Sequence, residues 1–434
     1  MLDIQFIRDN PDRVAEKSAQ KGYKVDIPQL LGFDKERREL LTEVEALRQK
    51  RNELNTQMKG GKPTDEQIAQ GREMRETLAD KEHRLDAIEE EFIALLKQVP
   101  NMPLPDVPVG ASEDENVVAY KVGEPTHFDF QPKSHWELAE AKDLIDKERA
   151  AKVAGARFAY IKGDLVKLQF AIIQFVLNTL SDEKILQQLI DEKQLNIPAK
   201  PFTPVLPPAM IRTDVFAAMD RLEPRDDRYK VGEDEDDLWL QGSAEHTLGS
   251  MYKDEILDEA QLPIRYIGYS SSFRREAGTY GKDTEGILRM HQFDKLEMEV
   301  FSTSETGHDE HKLLAAIQEY LVQQLGLPYQ VVQKCTADIG KPNATGVDIE
   351  TWMPGQNKYR ETHTADFMTD YQARRLKTRV RKNDGALALI NTNDATAFAL
   401  GRIMIAIIEN YQTAEGNVRT PAVLQPYLGG LTEI

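Results

Sequence analysis

The sequence has one cysteine, Cys335, in 434 residues, so no internal disulfide can staple it. Its longest apolar runs, Phe170 to Leu177 and Ile403 to Ile408, fall far short of the roughly 20 residues a membrane-spanning helix needs. No membrane-crossing segment is expected. The first residues, MLDIQFIRDNPDR, lack the basic lead and apolar stretch of a secretory signal, so the expected location is the cytoplasm. Positive charge is also scarce: 55 Lys and Arg stand against 73 Asp and Glu, a net charge of −18. That balance argues against nonspecific coating of nucleic acid, although a local basic surface can still hold a polyanion. His291, His308, His311 and His363 have no cysteine cluster beside them, which argues against zinc. The acidic run at 232–237 lacks the ligand spacing of a calcium loop and reads as solvated. Nothing in the sequence places a histidine base beside Cys335, so an inert thiol is expected.

What is present is globular composition, 40% hydrophobic and 29% charged, with length for roughly two to four domains. Residues 1–33 read as short helical pieces broken at Asn10-Pro11 and Gly22. From Asp34 to Gln98 apolar residues recur at 3-4 spacing in two series. The first is Leu40, Val44, Leu47, Leu54 and Met58; the second is Met74, Leu78, Leu85, Ile88, Phe92, Leu95 and Val99. Only Arg51 and Lys81 interrupt them, and Gly60, Gly61 and Pro63 lie between, where a helix has to stop and reverse. The pattern predicts an antiparallel helical hairpin on the order of 40 Å long, at about 1.5 Å per residue. Taken alone, such heptads read most simply as a dimerisation coil or spacer. Charge weakens that reading, because Arg48, Lys50, Arg51, Lys59 and Lys62 near the tip are opposed only by Glu53. A basic tip suits a phosphate backbone, since its cations displace condensed counterions.

Residues 100–116 are rich in proline and acid and read as a linker. Beyond it, helical stretches at Ser134 to Val153 and Gly163 to Leu180 precede many alternating segments, which predicts an α+β domain with a mainly antiparallel sheet. Two of these segments, PIRYIGYSSSFRREAG and ILRMHQFDKLEMEVF, flank the loop TYGKDTEG as a β-hairpin. In the second, Leu296, Met298 and Val300 share a core face while Arg289, His291, Phe293, Lys295 and Glu297 share the other. Arg274 and Glu276 follow the first strand. Two arginines, an aromatic ring and carboxylates on one sheet face can clamp a phosphate chain, stack a flat base and hold an ammonium group. A solvated, salt-bridged face fits the spacing equally well.

The run FRREAGTYGKDTEGILRMHQFDKLE resembles motif 2 of class II aminoacyl-tRNA synthetases, specifically the bacterial type of seryl-tRNA synthetase. PFTPVLPP, with Pro208, resembles motif 1, and ALGRIMIAIIENYQ, with Arg402, resembles motif 3. CTADIG, DIETWMPGQNKYRE and YQARR resemble further signatures of that family, which also carries an amino-terminal helical hairpin. The resemblance thus extends over nearly the whole chain. It implies a class II antiparallel sheet flanked by helices, with a tRNA-binding domain at 1–105, its arm at about 34–98, and a catalytic domain at 106–434.

By that resemblance Arg274 would hold the ATP α-phosphate, Arg402 the γ-phosphate, and Phe293 would stack on adenine, with Glu276 and Arg289 completing the pocket. Glu361 matches an acidic ligand for Mg2+ on the ATP phosphates, and Thr364 a hydroxyl three residues on, usually serine. In a regular strand those two would point to opposite faces, so joint binding needs a bend or bulge. Glu297 would bind the ammonium of L-serine with Ser243 and Glu245 beside it, and Thr396 would read its hydroxyl. A buried partner for that hydroxyl is a direct way to reject alanine, which leaves the partner unpaired. The family implies a homodimer built on motif 1, with the arm reaching across it to the long variable arm of tRNA(Ser). A tRNA for selenocysteine, tRNA(Sec), is a second substrate where an organism has one.

Departures cluster around the amino-acid pocket. Ser243-Ala244-Glu245 replaces a run that usually begins with threonine, THTADFMTDYQARR replaces a serine-rich one, and Asp394 stands where asparagine is usual. KPNATGVDIE lacks a lysine and tyrosine often found before the aspartate. The loop DVFAAMDRLEPRDD lacks the usual Gly-Thr-Gly-Gln run. Three alternatives stay open on the sequence: a ligase that charges a carrier protein, a silent RNA-binding paralogue, and an enzyme with a shifted amino acid. The intact arm speaks against the first, and Arg274, Arg289, Arg402 and Glu361 against the second.

Overall fold

In the computed structural model, residues 1–58, 64–232, 236–277 and 286–434 are described. They divide into two compact units, Met1–Met102 and Pro103–Ile434.

The first unit is helical. Short helices α1 (Ile4–Asp9) and α2 (Pro11–Gln20) are separated at Asn10, and Pro11 opens the second at a position where its missing N–H costs nothing. Two 32-residue helices follow, α3 (Ile27–Met58) and α4 (Asp65–Leu96). The first begins before Asp34, earlier than the heptads alone indicate, and runs through Gly32. Asp34 explains part of this: it is fully buried and anchors Arg8 at 3.2 Å and Arg38 at 3.1 Å. Thr64 and Gln67 form a reciprocal capping box that starts α4, satisfying two of the amides a helix start leaves unpaired. Val44, Leu78, Ile88 and Phe92 are buried between the helices, as the 3-4 spacing requires. The reversal with Gly60, Gly61 and Pro63 lies outside the described residues.

The second unit is built on an eight-stranded sheet. In chain order its strands are β1 (Val117–Val122), β2 (Thr203–Val205), β3 (Ile264–Phe273), β4 (Gln292–Ser302), β5 (Tyr329–Gln333), β6 (Thr345–Met353), β7 (Lys358–Thr369) and β8 (Asn391–Ala399). Across the sheet they run β1-β5-β6-β7-β8-β4-β3-β2. All pairs are antiparallel except β2 with β3. Helices α5 (Asp164–Leu180), α6 (Gly307–Gln324) and α7 (Leu400–Asn410) contribute to one continuous apolar core with Leu296, Met298 and Val300 of β4. The helical stretch expected from Ser134 to Val153 is interrupted: helices at His135–Ala141 and Lys147–Ala154 flank a short strand at Ile145–Asp146. Asp146 ends the strand and caps the second helix through the Arg149 amide.

Three register shifts interrupt the central strand pairs, and two of them bear on the cleft. On β7, Ile349 faces His363 and Glu350 faces Glu361, so Thr362 is the extra residue. On β8, Leu296 faces Phe398 and Glu297 faces Thr396, leaving Ala397 extra. Each bulge reverses which face the following side chains take.

Candidate active site

The expected hairpin is β3 and β4, in register from Phe273 opposite Gln292 to Ile264 opposite Phe301. Its connection at 278–285 lies outside the described residues. The sequence reading needs one correction: Arg289 and His291 precede β4, which begins at Gln292, and are not strand residues. The Arg274 N–H donates to the His291 carbonyl at 3.0 Å and His291 Nδ1 lies 2.9 Å from the Arg274 carbonyl, which ties His291 to the end of the hairpin. The solvated-face alternative also fails, because Lys295 is buried and Glu297 has no exposed surface.

One cleft gathers Arg274, Glu276, Arg289, Phe293, Glu361, Thr364, Thr396 and Arg402, with Lys295 at its wall. These residues come from β4, β7, β8, the start of α7 and the turns beside the hairpin. The Arg274 guanidinium lies 5.3 Å from the Phe293 ring centroid and its Nε donates to the Gly242 carbonyl at 3.0 Å. Those contacts orient a cation at the cleft floor. Arg289 pairs with Glu276 at 2.7 Å. Arg402 donates to the Glu361 carboxylate at 2.7 Å and to its carbonyl at 3.1 Å. Partial desolvation works against the Glu361 charge, its side chain being half exposed, but Arg402 and then Lys334 hold its carboxyl below the ordinary range.

The bulge at Thr362 supplies the bend that a joint Glu361 and Thr364 site requires, and both side chains reach the cleft. Their two hard oxygens fit the donor chemistry of Mg2+. Sequence reasoning missed what lies behind them. Lys334 is buried, donates to Thr364 Oγ1 at 2.8 Å and pairs with Asp366 at 2.8 Å and Asp348 at 3.5 Å. Gly346 permits this approach, since a Cβ there would overlap Asp366 and the Lys334 stem. Burial pushes the Asp348 carboxyl up to about 7 against the pull of Lys334. The lysine's position directly before CTADIG was the only signal of this role.

The remaining expected residues form a second, deeper group. Ser243, Glu245 and Glu297 do not line the cleft. Glu297 is enclosed, accepting from Ser243 Oγ at 3.3 Å and paired with the Lys295 ammonium. Glu245 pairs with Arg221 at 2.8 Å, and Arg221 also reaches Asp394 at 3.3 Å. Burial pushes the Glu297 carboxyl up to about 7 despite Lys295. For Glu245 burial acts the same way, but the Arg221 charge prevails and holds it well below the ordinary range. Arg221 went unnoticed in the sequence, because a lone arginine in a loop of mixed charge carries no periodic signal.

On the arm, Arg48, Lys50 and Arg51 are exposed, but Arg48 is tied to Glu82 of α4 at 2.7 Å. The expectation that only Glu53 opposes the basic group is therefore corrected. A carboxylate 34 positions away lies outside any local charge window. Lys59 and Lys62 lie outside the described residues.

The Cys335 thiol is buried and donates to the Ser112 carbonyl at 3.2 Å. Among the described residues, the group of side chains spaced to hold a metal is Glu245, Glu297 and Asp394, with no histidine.

Comparison with known proteins identifies the family. The model of the seryl-tRNA synthetase N-terminal domain matches residues 1–103, and that of the tRNA synthetase class II core domain (G, H, P, S and T) matches 229–411. A serine–tRNA ligase of Thermodesulfovibrio yellowstonii is 37% identical, with 99% of each chain covered. The chain belongs to the seryl-tRNA synthetase family. Among solved structures of that family, the Pyrococcus horikoshii enzyme complexed with ATP superposes with a TM-score of 0.88 at 36% identity, covering 100% of this chain and 99% of that one. The cytoplasmic enzyme of Naegleria fowleri in complex with AMP gives 0.85 at 26% identity, with 100% and 98% covered. The family's class II sheet and amino-terminal helical hairpin are both present. Among the described residues, no helix is long and apolar enough to cross a membrane.

Proposed function

We propose that the chain is a serine–tRNA ligase, which activates L-serine with ATP and transfers it to the terminal adenosine of tRNA(Ser). What supports this reading most is the convergence of Arg274, Phe293, Glu361, Thr364 and Arg402 on one cleft, in a chain similar over its full length to serine–tRNA ligases.

Activation is an in-line attack of the serine carboxylate on the ATP α-phosphorus, with pyrophosphate leaving. Both reactants are anionic, so fixed positive charge must offset their repulsion as charge moves to the leaving group. Arg274 at the α-phosphate and Arg402 at the γ-phosphate supply it. Phe293 stacks on adenine, and Arg289 with Glu276 closes the pocket. Glu361 and Thr364 would hold Mg2+, which supplies further charge neutralisation on the phosphates. No protein nucleophile is required. Glu297 takes the serine ammonium, Ser243 and Glu245 flank it, and Thr396, brought opposite Glu297 by the bulge at Ala397, reads the hydroxyl.

Residues 1–105 serve as the tRNA-binding domain and 106–434 as the catalytic domain. The arm contacts phosphates through Arg48, Lys50 and Arg51, joined by Lys59 and Lys62. A homodimer built on motif 1, a cytoplasmic location and tRNA(Sec) as a second substrate belong to the same reading.

ATP/pyrophosphate exchange with serine, threonine, alanine, cysteine and proline, each without tRNA, tests it. Exchange with serine alone is expected, and Arg274→Ala should lower it by about a thousandfold while tRNA binding persists. Exchange with another amino acid would reassign the substrate, and exchange with none would make the chain a non-catalytic RNA-binding protein.

A further inference from the structure

We propose that Asp394 is the third carboxylate of a tripod for the substrate ammonium, with Glu245 and Glu297, and that Arg221 positions it. The proposal rests on the amino-acid site assigned above.

The three carboxylates come from β8, β4 and the short helix Glu245–Leu248, and each offers an oxygen within 4.8 Å of the others. An ammonium has three N–H donors at tetrahedral angles. With N···O near 2.85 Å, its acceptors stand roughly 4.6 Å apart, which fits that spread. A divalent cation draws its oxygens to about 2.0–2.6 Å and packs them closer together, so the experiment below distinguishes the two ligands.

A second observation is that acceptor capacity is left over. Glu297 is 0% and Asp394 1% exposed, yet Glu297 Oε1 and Asp394 Oδ1 have no hydrogen-bond partner among the described residues. Their other oxygens are engaged, Glu297 Oε2 by Ser243 and Lys295 and Asp394 Oδ2 by Arg221. Unmet acceptors at such depth are costly unless a donor arrives.

Charge points the same way. Glu245, Glu297, Glu299 and Asp394 lie within one buried neighbourhood whose nearby cations are Arg221, Lys295 and, acting on Glu297, Arg274. One more cation is therefore favourable. Burial and the neighbouring carboxylates raise Glu297 and Asp394, so ammonium binding is coupled to proton release.

Arg221 explains why an aspartate suits this position. Its guanidinium bridges Glu245 and Asp394 at 2.8 and 3.3 Å, fixing two legs of the tripod at once. An amide at 394 would turn its oxygen to Arg221 and present its NH2 to the incoming ammonium, a donor against a donor. Both residues lie in stretches that depart from the family's usual runs, and the fold brings the two departures together.

The test uses the full chain and Asp394→Asn in ATP/pyrophosphate exchange, with 3-hydroxypropionate, which lacks the amine, as a competing ligand. The serine KM should rise by about ten- to a hundredfold, with the ATP KM and 3-hydroxypropionate inhibition within about twofold of the parent. Asp394→Glu should recover part of the serine affinity, which a purely structural role would not predict. An unchanged serine KM, or equal weakening of serine and 3-hydroxypropionate, would overturn the tripod. So would a stoichiometric divalent cation in the purified parent that Asp394→Asn loses. Glu297→Gln separates the two levels: if it too leaves the serine KM unchanged, the amino-acid site itself is misassigned. If Glu297→Gln raises the KM and Asp394→Asn does not, only the third leg falls.

Discussion

The arm and the catalytic unit use the same ion pairs for different ends. On the arm, Arg48 with Glu82, Lys81 with Glu43 and Arg84 with Glu36 bridge α3 and α4 at 2.6–2.7 Å, with every partner more than a third exposed. Water and salt weaken such pairs, which set helix register more than they add stability. In the catalytic unit, Arg265 and Glu310 are bidentate at 2.8 Å with no exposure at all, and Lys334 holds Asp366 almost as deeply. Desolvation there is large, so each charge depends on its partner. Surface charge tolerates loss, whereas interior charge does not.

That contrast can be broken most sharply at Arg265. Arg265→Met strands Glu310 in the core and should destabilise the chain by about 3–5 kcal/mol, read by urea denaturation. Arg265→Met/Glu310→Met should regain most of it, and a mild single variant would remove the contrast. The next effect in size concerns binding. Changing Arg48, Lys50 and Arg51 to alanine should weaken tRNA binding by about tenfold at low salt and reduce the slope of log K against log salt by about two. An unchanged slope would discard the phosphate contacts.

A smaller effect sharpens the interior side. Burial, then the Asp394, Glu245 and Glu297 charges, raise the Glu299 carboxyl well above its ordinary 4.5, against the pull of Arg221, and neither oxygen has a hydrogen-bond partner. A raised folded-state value means the native chain binds this proton more tightly, so stability is lost as pH rises above 4.5. Glu299→Gln should raise the melting temperature at pH 8 by a few degrees and leave it little changed at pH 4. A gain of equal size at both would assign the effect to packing. Smallest of all is Arg84→Ala on the arm, for which the denaturation midpoint should barely move.

Most of the architecture is legible because it rests on local repetition. The 3-4 spacing of Val44, Leu78, Ile88 and Phe92 gives the hairpin, and alternation in β3 and β4 gives the strands that carry Arg274 and Phe293. The cleft residues are legible as one set through the motifs. Less accessible are features that depend on non-local partners. Arg48 is claimed by a glutamate 34 positions away, Arg221 reaches across to β8, and Lys334 on one side of the sheet supports a hydroxyl on β7. Strand alternation also reads Glu297 as a solvent-facing glutamate, because it cannot tell that a second layer covers that face.

The bulge at Thr362 has a meaning for how this sheet can change over time. A strand has parity, with odd and even positions belonging to opposite sides, and one surplus residue switches that parity for the residues beyond it, here as far as the next register shift at Met368. Glu361 and Thr364, three apart, thereby share a side, and so would any later pair at odd separation across the bulge. Removing one residue there would leave every remaining letter of β7 intact and still send its functional groups to the wrong side of the sheet. In this strand, residue count is as much a part of the active site as residue identity.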